Sequence, residues 1–222
     1  GYIRTADNQP ARFSWSDGLP PEAAQIVADP YHAKAVSKVE EDPRLKTIFN
    51  GYAFAIDYRE RRGHAFMLHD QRETERVKQR PQPGACLNCH ASNVVAYREA
   101  GLQQGAPGTL DDPLLSANGQ KQLFSGWEHV NPLTYADATK LVEHPVTCLD
   151  CHDPESMSLR ITRPAFLEGV NNLARSSDPV PHLPSIEQWR KGSRASDYNP
   201  NDLASRQEMR TMACAQCHVE YY

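Results

Sequence analysis

The chain has 222 residues, a formal net charge of −4 and 39% hydrophobic residues. A charge of this size is not typical of a protein that binds nucleic acid. No apolar run approaches the roughly 20 residues of a membrane-spanning helix, and no signal peptide is visible. The length fits one large domain or two small ones.

Helical patterns dominate the first part of the chain. The sequence predicts a helix that begins at Pro21, an amphipathic helix over residues 45–58 and a charged helix over residues 70–78. On the charged helix, Arg72 and Arg76 would share a face because they lie four residues apart.

The second part of the chain also reads as helices joined by loops, and no convincing strand is found. Helical segments are predicted near residues 91–104, 112–123, 135–143 and 204–212, together with a helix over 159–173 that Pro164 interrupts. Residues 176–202, which are rich in Pro, Ser, Asp and Asn, are predicted to form a surface loop.

All six cysteines lie in three C-x-x-C-H motifs, the signature of covalently attached haem, in which two thioethers hold the porphyrin and the histidine binds iron. No cysteine remains for a disulfide, a zinc site or a thiol nucleophile. Buried porphyrins would supply apolar mass that the side chains lack. We therefore predict one multihaem cytochrome c domain over residues 1–222, mainly α and loop-rich, with little or no β structure. Its three haem c groups would be held by Cys86, Cys89 and His90; by Cys148, Cys151 and His152; and by Cys214, Cys217 and His218.

Attachment of haem c takes place outside the cytoplasm, so a periplasmic or other extracytoplasmic location is expected. A haem that only transfers electrons also needs a second axial ligand. His64 is the preferred candidate, because Gly63 would let the backbone approach a porphyrin closely. The full set of candidates is His32, His64, His69, His129, His144 and His182.

Four arginines precede the first motif, namely Arg61, Arg62, Arg72 and Arg76. They could form a solvated helix face or pair with haem propionates. Alternatively, they could bind a small oxyanion over an open haem, because guanidinium is a planar group that is always charged. Only an enzyme that reduces an anion needs the second arrangement.

Several segments resemble the ammonia-forming cytochrome c nitrite reductases, a pentahaem periplasmic family. The resemblance covers roughly residues 40–222, and its most specific part is the closing nonapeptide 214–222. The matching segments are Asp42-Pro43-Arg44-Leu45, Gly51-Tyr52, Asp57-Tyr58, Arg62-Gly63-His64, Asp70-Gln71-Arg72-Glu73-Thr74, the second motif and Cys214-Ala215-Gln216-Cys217-His218-Val219-Glu220-Tyr221-Tyr222.

The resemblance implies reduction of nitrite to ammonium at one haem with an open distal position, here the haem held by Cys86, Cys89 and His90. Better-known members bind that haem through C-x-x-C-K. His90 stands in place of their lysine, which is similar to a C-x-x-C-H branch of the same family.

Residue roles follow from the same resemblance. Arg76 matches the active-site arginine and Tyr221 the active-site tyrosine. Glu220 and the Tyr221 carbonyl match part of a calcium site, and oxygen ligands suit calcium. His64 matches a distal ligand of an electron-transfer haem, the one attached at Cys214 and Cys217 in our interpretation.

The resemblance also implies partners: nitrite or a similar small anion, an electron-donor cytochrome or quinol-oxidising protein, and a second copy in a homodimer. The chain would be the N-terminal part of a longer nitrite reductase, or a shortened relative. Two other functions remain open, a non-catalytic electron-transfer cytochrome and a related reductase or oxidase that acts on hydroxylamine or sulfite.

Overall fold

The fold is mainly α-helical, as the sequence predicts. The computed structural model describes residues 2–4, 10–12, 37–59 and 63–219. The helices in this part of the chain are α1 Lys38–Glu41, α2 Leu45–Ile48, α3 Met67–Glu73, α4 Glu75–Gln79, α5 Leu87–His90, α6 Val94–Gln103, α7 Ala117–Val130, α8 Tyr135–Leu141, α9 Pro164–Arg175, α10 Pro184–Lys191, α11 Pro200–Leu203 and α12 Arg206–His218. Single 3₁₀ turns cover Ala53–Ala55, His64–Phe66, Gly84–Cys86 and Cys148–Asp150.

Two short strands, β1 Tyr2–Arg4 and β2 Pro10–Arg12, form an antiparallel pair in which Ile3 lies opposite Ala11. The sequence analysis found no strand, and these three-residue strands are too short to show a period-2 pattern. The predicted helix start at Pro21 lies outside the described residues.

The chain divides into two compact units. The first comprises residues 1–82 and 144–147, and the second comprises residues 83–143 and 148–222. All three C-x-x-C-H motifs therefore belong to the second unit. Within the described residues, no helix has the length and apolar character needed to cross a membrane.

The amphipathic helix predicted over 45–58 is wrong. It is replaced by the one-turn helix α2 and the 3₁₀ turn Ala53–Ala55. Gly51 lies between them with φ of +91°, which is outside the helical region. The apolar residues still cluster, because Phe49, Phe54 and Tyr58 pack with ring centroids 5.5 to 5.6 Å apart.

The charged helix predicted over 70–78 is two helices, α3 and α4. Thr74 separates them with an extended backbone (φ −68°, ψ 138°), and its hydroxyl accepts a hydrogen bond from the Arg76 amide as the N-cap of α4. Arg72 and Arg76 therefore lie on different helices, and the predicted shared helical face is wrong.

Proline begins helices in the second unit rather than interrupting them. Pro164 is the first residue of α9, where its missing amide hydrogen and fixed φ are tolerated. Pro184 and Pro200 begin α10 and α11 in the same way, inside the segment predicted as a surface loop. Helix α10 shares a core with α9 and α12. The buried residues of this core are Ile161, Phe166, Leu167, Val170, Ala174, Val180, Ile186, Tyr198, Met209, Met212 and Ala213.

Helices α6 and α7 approach each other closely at two glycines. A Cβ on Gly126 would lie 1.7 Å from the Tyr97 carbonyl oxygen, and one on Gly101 would lie 2.0 Å from the Gln122 carbonyl oxygen. Both neighbours are backbone atoms, which cannot move without displacing a helix. The last residue of α7 also contacts the segment before the first haem motif, since a Cβ on Gly84 would lie 2.2 Å from the Val130 carbonyl oxygen.

We expect Gly126→Ala to destabilise the second unit by about 1–3 kcal/mol, since the added methyl overpacks a backbone contact. The gain in helix propensity, about 1 kcal/mol, offsets only part of this cost. Denaturant unfolding followed by circular dichroism measures the difference. Gly192→Ala is the control, because its Cβ would meet only the Trp189 carbonyl oxygen at 3.3 Å. Equal stability of the two variants would contradict the close approach.

Candidate haem-binding centre

The first motif is a continuous helical turn held by the backbone of a neighbouring segment. Residues Gly84–Cys86 form a 3₁₀ turn that runs into α5. The Gly84 amide donates to the Leu133 carbonyl at 2.7 Å, and the Ala85 amide donates to the Asn131 carbonyl at 3.1 Å. A Cβ on Gly84 would lie 2.2 Å from the Val130 carbonyl oxygen, so only glycine permits this approach.

The second and third motifs are also helical turns. In the second, the His152 amide donates to the Cys148 carbonyl at 2.8 Å. The third is the last turn of α12, which begins with a capping box between Ser205 and Glu208. Glu208 also accepts hydrogen bonds from the amide and hydroxyl of Ser185, which fixes the start of the helix that ends at His218.

This local geometry fits covalent haem. In a helical turn, residues i, i+3 and i+4 lie on one face, so the two sulfurs and the imidazole of each motif are directed to the same side. All six cysteines are free, and Cys148 and Cys214 are exposed. The His152 Nδ1 lies 2.8 Å from the Met157 carbonyl oxygen, which leaves its Nε2 for iron.

An ion pair between Arg163 and Asp150 lies at the centre of the second unit. Arg163 Nη1 donates to Asp150 Oδ1 at 2.8 Å, and the two side chains are 0% and 1% exposed. Asp150 is the residue between Leu149 and Cys151 in the second motif. Arg163 Nη2 also donates to the Ala91 carbonyl at 2.9 Å, so the same side chain reaches the end of the first motif.

A hydrogen-bond network extends from this pair to all three motifs. Asp150 Oδ1 accepts from the Asn93 amide at 3.2 Å, and the Asn93 side chain donates to the Leu87 and Asn88 carbonyls at 3.0 Å. Gln216, in the third motif, donates to the Asp150 carbonyl at 3.3 Å. Thr162 closes the network, since its amide donates to Gln216 Oε1 at 2.9 Å and its hydroxyl donates to the Asp150 carbonyl at 2.7 Å.

The second cysteine of each motif lies at this network. The Cys89 and Cys217 thiols interact electrostatically with each other and with Arg163. Gln216 Nε2 lies 3.7 Å from Cys151 Sγ. The structure therefore brings three sulfurs from distant parts of the chain to one charged centre.

Interaction with the Cys89 thiol, aided by the charge of Arg163, lowers the pKa of Cys217 despite burial. The pKa of Cys89 is raised by the interaction with Cys217 and by burial. Burial opposes the charge on Arg163, yet Asp150 and Cys217 raise its pKa overall. These shifts concern the thiols before thioether formation, which removes both protons.

Arg76 belongs to the first unit, where the side chain is held from two sides. Its Nε donates to the Thr74 hydroxyl at 3.3 Å, and its guanidinium carbon lies 5.0 Å from the centre of the Phe54 ring. Thr74 in turn donates to Asp57 Oδ2 at 3.0 Å. The buried Asp57 carboxylate also accepts from the Glu75 amide at 2.8 Å. It thereby stabilises the break between α3 and α4 that sets the position of Arg76.

His64 also belongs to the first unit and is exposed at the start of a 3₁₀ turn. The preceding Gly63 has φ of +80°, and a Cβ there would meet no atom within 4 Å. For His69, His129, His144 and His182, the role of second iron ligand stays a prediction. Five residues of the predicted sites and ligand set lie outside the described residues: His32, Arg61, Arg62, Glu220 and Tyr221.

Calcium ligands cannot be read from the described part of the chain, where no group of three or more His, Cys, Asp or Glu side chains is arranged around a common point. Glu220 and Tyr221 therefore stay predicted ligands.

Sequence reasoning missed the residues that join the motifs, namely Asn93, Asp150, Thr162, Arg163 and Gln216. The sequence pattern gave an indication of a role for only two of these residues. Asp150 and Gln216 are the residues directly before the second cysteine of their motifs, a position that must lie near the haem edge. Nothing in the pattern around residues 91–93 or 162–163 indicates a partner elsewhere.

Replacing Arg163 by Met should destabilise the second unit by about 3–5 kcal/mol, because it leaves the Asp150 carboxylate buried without its charge partner. Thermal or denaturant unfolding measures the loss. Lys140→Met is the matched control, since it breaks an ion pair with Asp137 that is exposed on both sides. Similar unfolding midpoints for both variants would contradict the role of the buried pair.

The stability of the first unit should depend on pH through Asp57. Burial opposes the charge, but hydrogen bonds from Glu75 and Thr74 and the ion pair with Arg59 hold the pKa of Asp57 below its usual range. Because the pKa of Asp57 is lower in the folded state, its ionised carboxylate adds to the free energy of unfolding above about pH 4. This added stability is lost as pH falls through the pKa of the folded state. Asp57→Asn should therefore flatten the decline in stability below about pH 4, as measured by unfolding at stepped pH. Parallel curves for the variant and the unmodified protein would show that Asp57 carries no such contribution.

Comparison with known proteins places these motifs in one family. The family model described as cytochrome c552 matches residues 14–222. Curated relatives include the cytochrome c-552 proteins of Parabacteroides distasonis, 30% identical over 195 residues, and of Bacteroides thetaiotaomicron, 31% identical over 195 residues. In each case the match covers 85% of this chain and 30% of the relative, so the chain spans about a third of their length.

Among solved structures, the cytochrome c nitrite reductase of Desulfovibrio desulfuricans is similar over 80% of this chain and 30% of its own, at 24% identity and a TM-score of 0.47. Its catalytic subunit is described as having two calcium sites. The resemblance that the motifs carry is confirmed by the family model: the chain belongs to the cytochrome c552 family, a family of nitrite reductases whose members carry covalent haem c.

Proposed function

We propose that the protein to which this chain belongs is a periplasmic oxidoreductase that reduces nitrite to ammonium. The observation that carries the proposal is the convergence of three haem-binding turns on the Arg163–Asp150 pair, in a chain of this family. Convergence of the second cysteines would hold neighbouring haems close together. Closely spaced haems suit a reaction that needs several electrons at one place.

Each motif has a distinct part in the proposal. Haem c, when bound, would supply an iron that passes electrons or takes a small ligand. Cys86, Cys89 and His90 would hold the haem at which nitrite reacts. The motifs that end in His152 and His218 would hold the haems through which electrons arrive, and His64 would be a second protein ligand of the haem attached at Cys214 and Cys217.

Arg76 is the proposed substrate-binding residue. A guanidinium offers two parallel N–H donors to the oxygens of a small oxyanion. The bond to Thr74 and the stacking over Phe54 restrain its rotamer, which lowers the entropy lost when an anion binds.

The remaining roles rest on the resemblance alone. Tyr221 would deliver protons, and calcium bound by Glu220 and the Tyr221 carbonyl would fix that tyrosine and add positive potential. A cytochrome or quinol-oxidising protein would donate electrons, and a second copy of the chain would complete a homodimer.

Arg76→Ala should lower kcat/KM for nitrite by about 100-fold, the usual cost of losing one donor to a developing anionic charge. The assay is nitrite-dependent oxidation of a reduced viologen by the complete holoprotein. Lys78→Ala is the control: it removes a cation from the same helix, where the side chain is exposed and pairs with Glu73 and Glu75. Circular dichroism must show that both variants fold.

Three results would contradict parts of the proposal. Unchanged turnover and nitrite affinity in Arg76→Ala would remove the assigned role of that arginine. Spectra with only six-coordinate low-spin haem that do not change with nitrite or cyanide would instead indicate a pure electron-transfer cytochrome. Higher catalytic efficiency on hydroxylamine or sulfite would indicate the third function left open by the sequence.

A further inference from the structure

The imidazole of His152 is oriented by a backbone carbonyl a few residues further along the chain. His152 Nδ1 and the Met157 carbonyl oxygen are 2.8 Å apart. Because a carbonyl only accepts, the hydrogen must lie on Nδ1, and Nε2 then carries the lone pair that binds iron. This contact selects both the tautomer and the rotation of the ring.

The loop that carries the carbonyl is closed on itself. The Asp153 amide donates to the Ser158 carbonyl, and the Met157 amide donates to the Asp153 carbonyl, both at 2.9 Å. Asp153 Oδ1 accepts from the amides of Glu155 and Ser156 and from the Ser156 hydroxyl, at 2.9 to 3.2 Å. A short antiparallel bridge between His152 and Leu159 ends the loop. The loop is therefore organised by its own hydrogen bonds.

Met157 has a left-handed backbone, with φ of +57°. This conformation is uncommon for a residue other than glycine, and it is least favourable for β-branched residues. The side chain is 61% exposed, so burial of the methionine does not explain the conformation. What the left-handed backbone achieves is the direction of the carbonyl toward His152.

We propose that Met157 is a positioning residue for the haem attached at Cys148 and Cys151: its left-handed backbone aims the carbonyl at His152 and thereby tunes the potential of that haem. The inference rests on the proposed haem attachment, but not on nitrite as the substrate. Donation from Nδ1 makes the imidazole a stronger electron donor to iron, which favours the ferric state. Weakening the bond should therefore raise the midpoint potential.

The test compares two substitutions that both remove the methionine side chain. Met157→Val disfavours the left-handed backbone, whereas Met157→Gly permits it. We expect Met157→Val to raise the midpoint potential of this one haem, by up to about tenfold in the one-electron equilibrium constant, or about 59 mV. Met157→Gly should keep the original potential. Potentiometric titration of the complete holoprotein, followed by electron paramagnetic resonance, measures both values.

His152→Met identifies which transition belongs to this haem, because it replaces the iron ligand of that haem alone. Loss of this haem from Met157→Val but not from Met157→Gly, measured as haem per chain, would also support the proposal, because the ring is then no longer held for iron. An unchanged potential with full haem content in Met157→Val would overturn it. An equal shift in both variants would overturn it too, since the side chain and not the backbone would then matter. Neither readout depends on turnover of nitrite.

Discussion

The buried ion pair between Arg163 and Asp150 is the interaction on which the second unit depends. Two charges removed from water are tolerated only when each is paired and its remaining hydrogen-bonding capacity is largely used. Here most of that capacity is used by groups in or next to the motifs, namely the Asn93 amide and the Ala91 carbonyl beyond the first and Asp150 itself in the second, while Arg163 Nε is buried without a hydrogen-bond partner. Arg163 also interacts electrostatically with Cys217 in the third motif. The groups that interact with this one ion pair come from three distant segments of the chain, so the pair fixes the positions of these segments relative to one another.

Close backbone packing makes this arrangement rigid. Gly84, Gly101 and Gly126 each lie where a Cβ would overlap a neighbouring carbonyl oxygen. Such contacts leave no space in which helices α6 and α7 or the first motif can shift, so the position of Cys89 follows from the packing behind it. The hydrogen-bond network around Arg163 and Asp150 sets the distances between the motifs, and the close contacts at the three glycines help to maintain these distances.

Functional side chains in both units are oriented by the same means, a sharp turn whose backbone groups are hydrogen-bonded. Asp57 accepts from Thr74 and Glu75 at the break before Arg76. Asp153 accepts from Glu155 and Ser156 in the loop that faces His152. In each case a carboxylate uses nearby N–H and O–H donors to stabilise an irregular segment, and this segment fixes the side chain of a proposed arginine or iron ligand.

The amino-acid sequence alone determined the haem chemistry, the family and the mainly helical class. The reason is that these depend on local spacing: each C-x-x-C-H motif of this chain lies in a helical turn, and the closing residues around Gln216 are contiguous. The sequence predicted the boundaries of the helices less accurately. Gly51, Thr74 and Pro164 each lie where the predicted helix is divided or where the observed helix begins, because backbone conformation at one residue outweighs the pattern of its neighbours.

Only the tertiary structure decided which residues join the motifs. Arg163 contacts Ala91 from 72 positions away, and Gln216 contacts Asp150 from 66 positions away. The sequence does not distinguish a buried arginine or glutamine from an exposed one. Tertiary packing, and not spacing along the chain, determines which residue such a side chain contacts. The left-handed backbone of Met157 is equally invisible in the sequence, since methionine gives no sign of it. The sequence therefore predicts the haem ligands, whereas the fold determines which residues hold the three motifs in place.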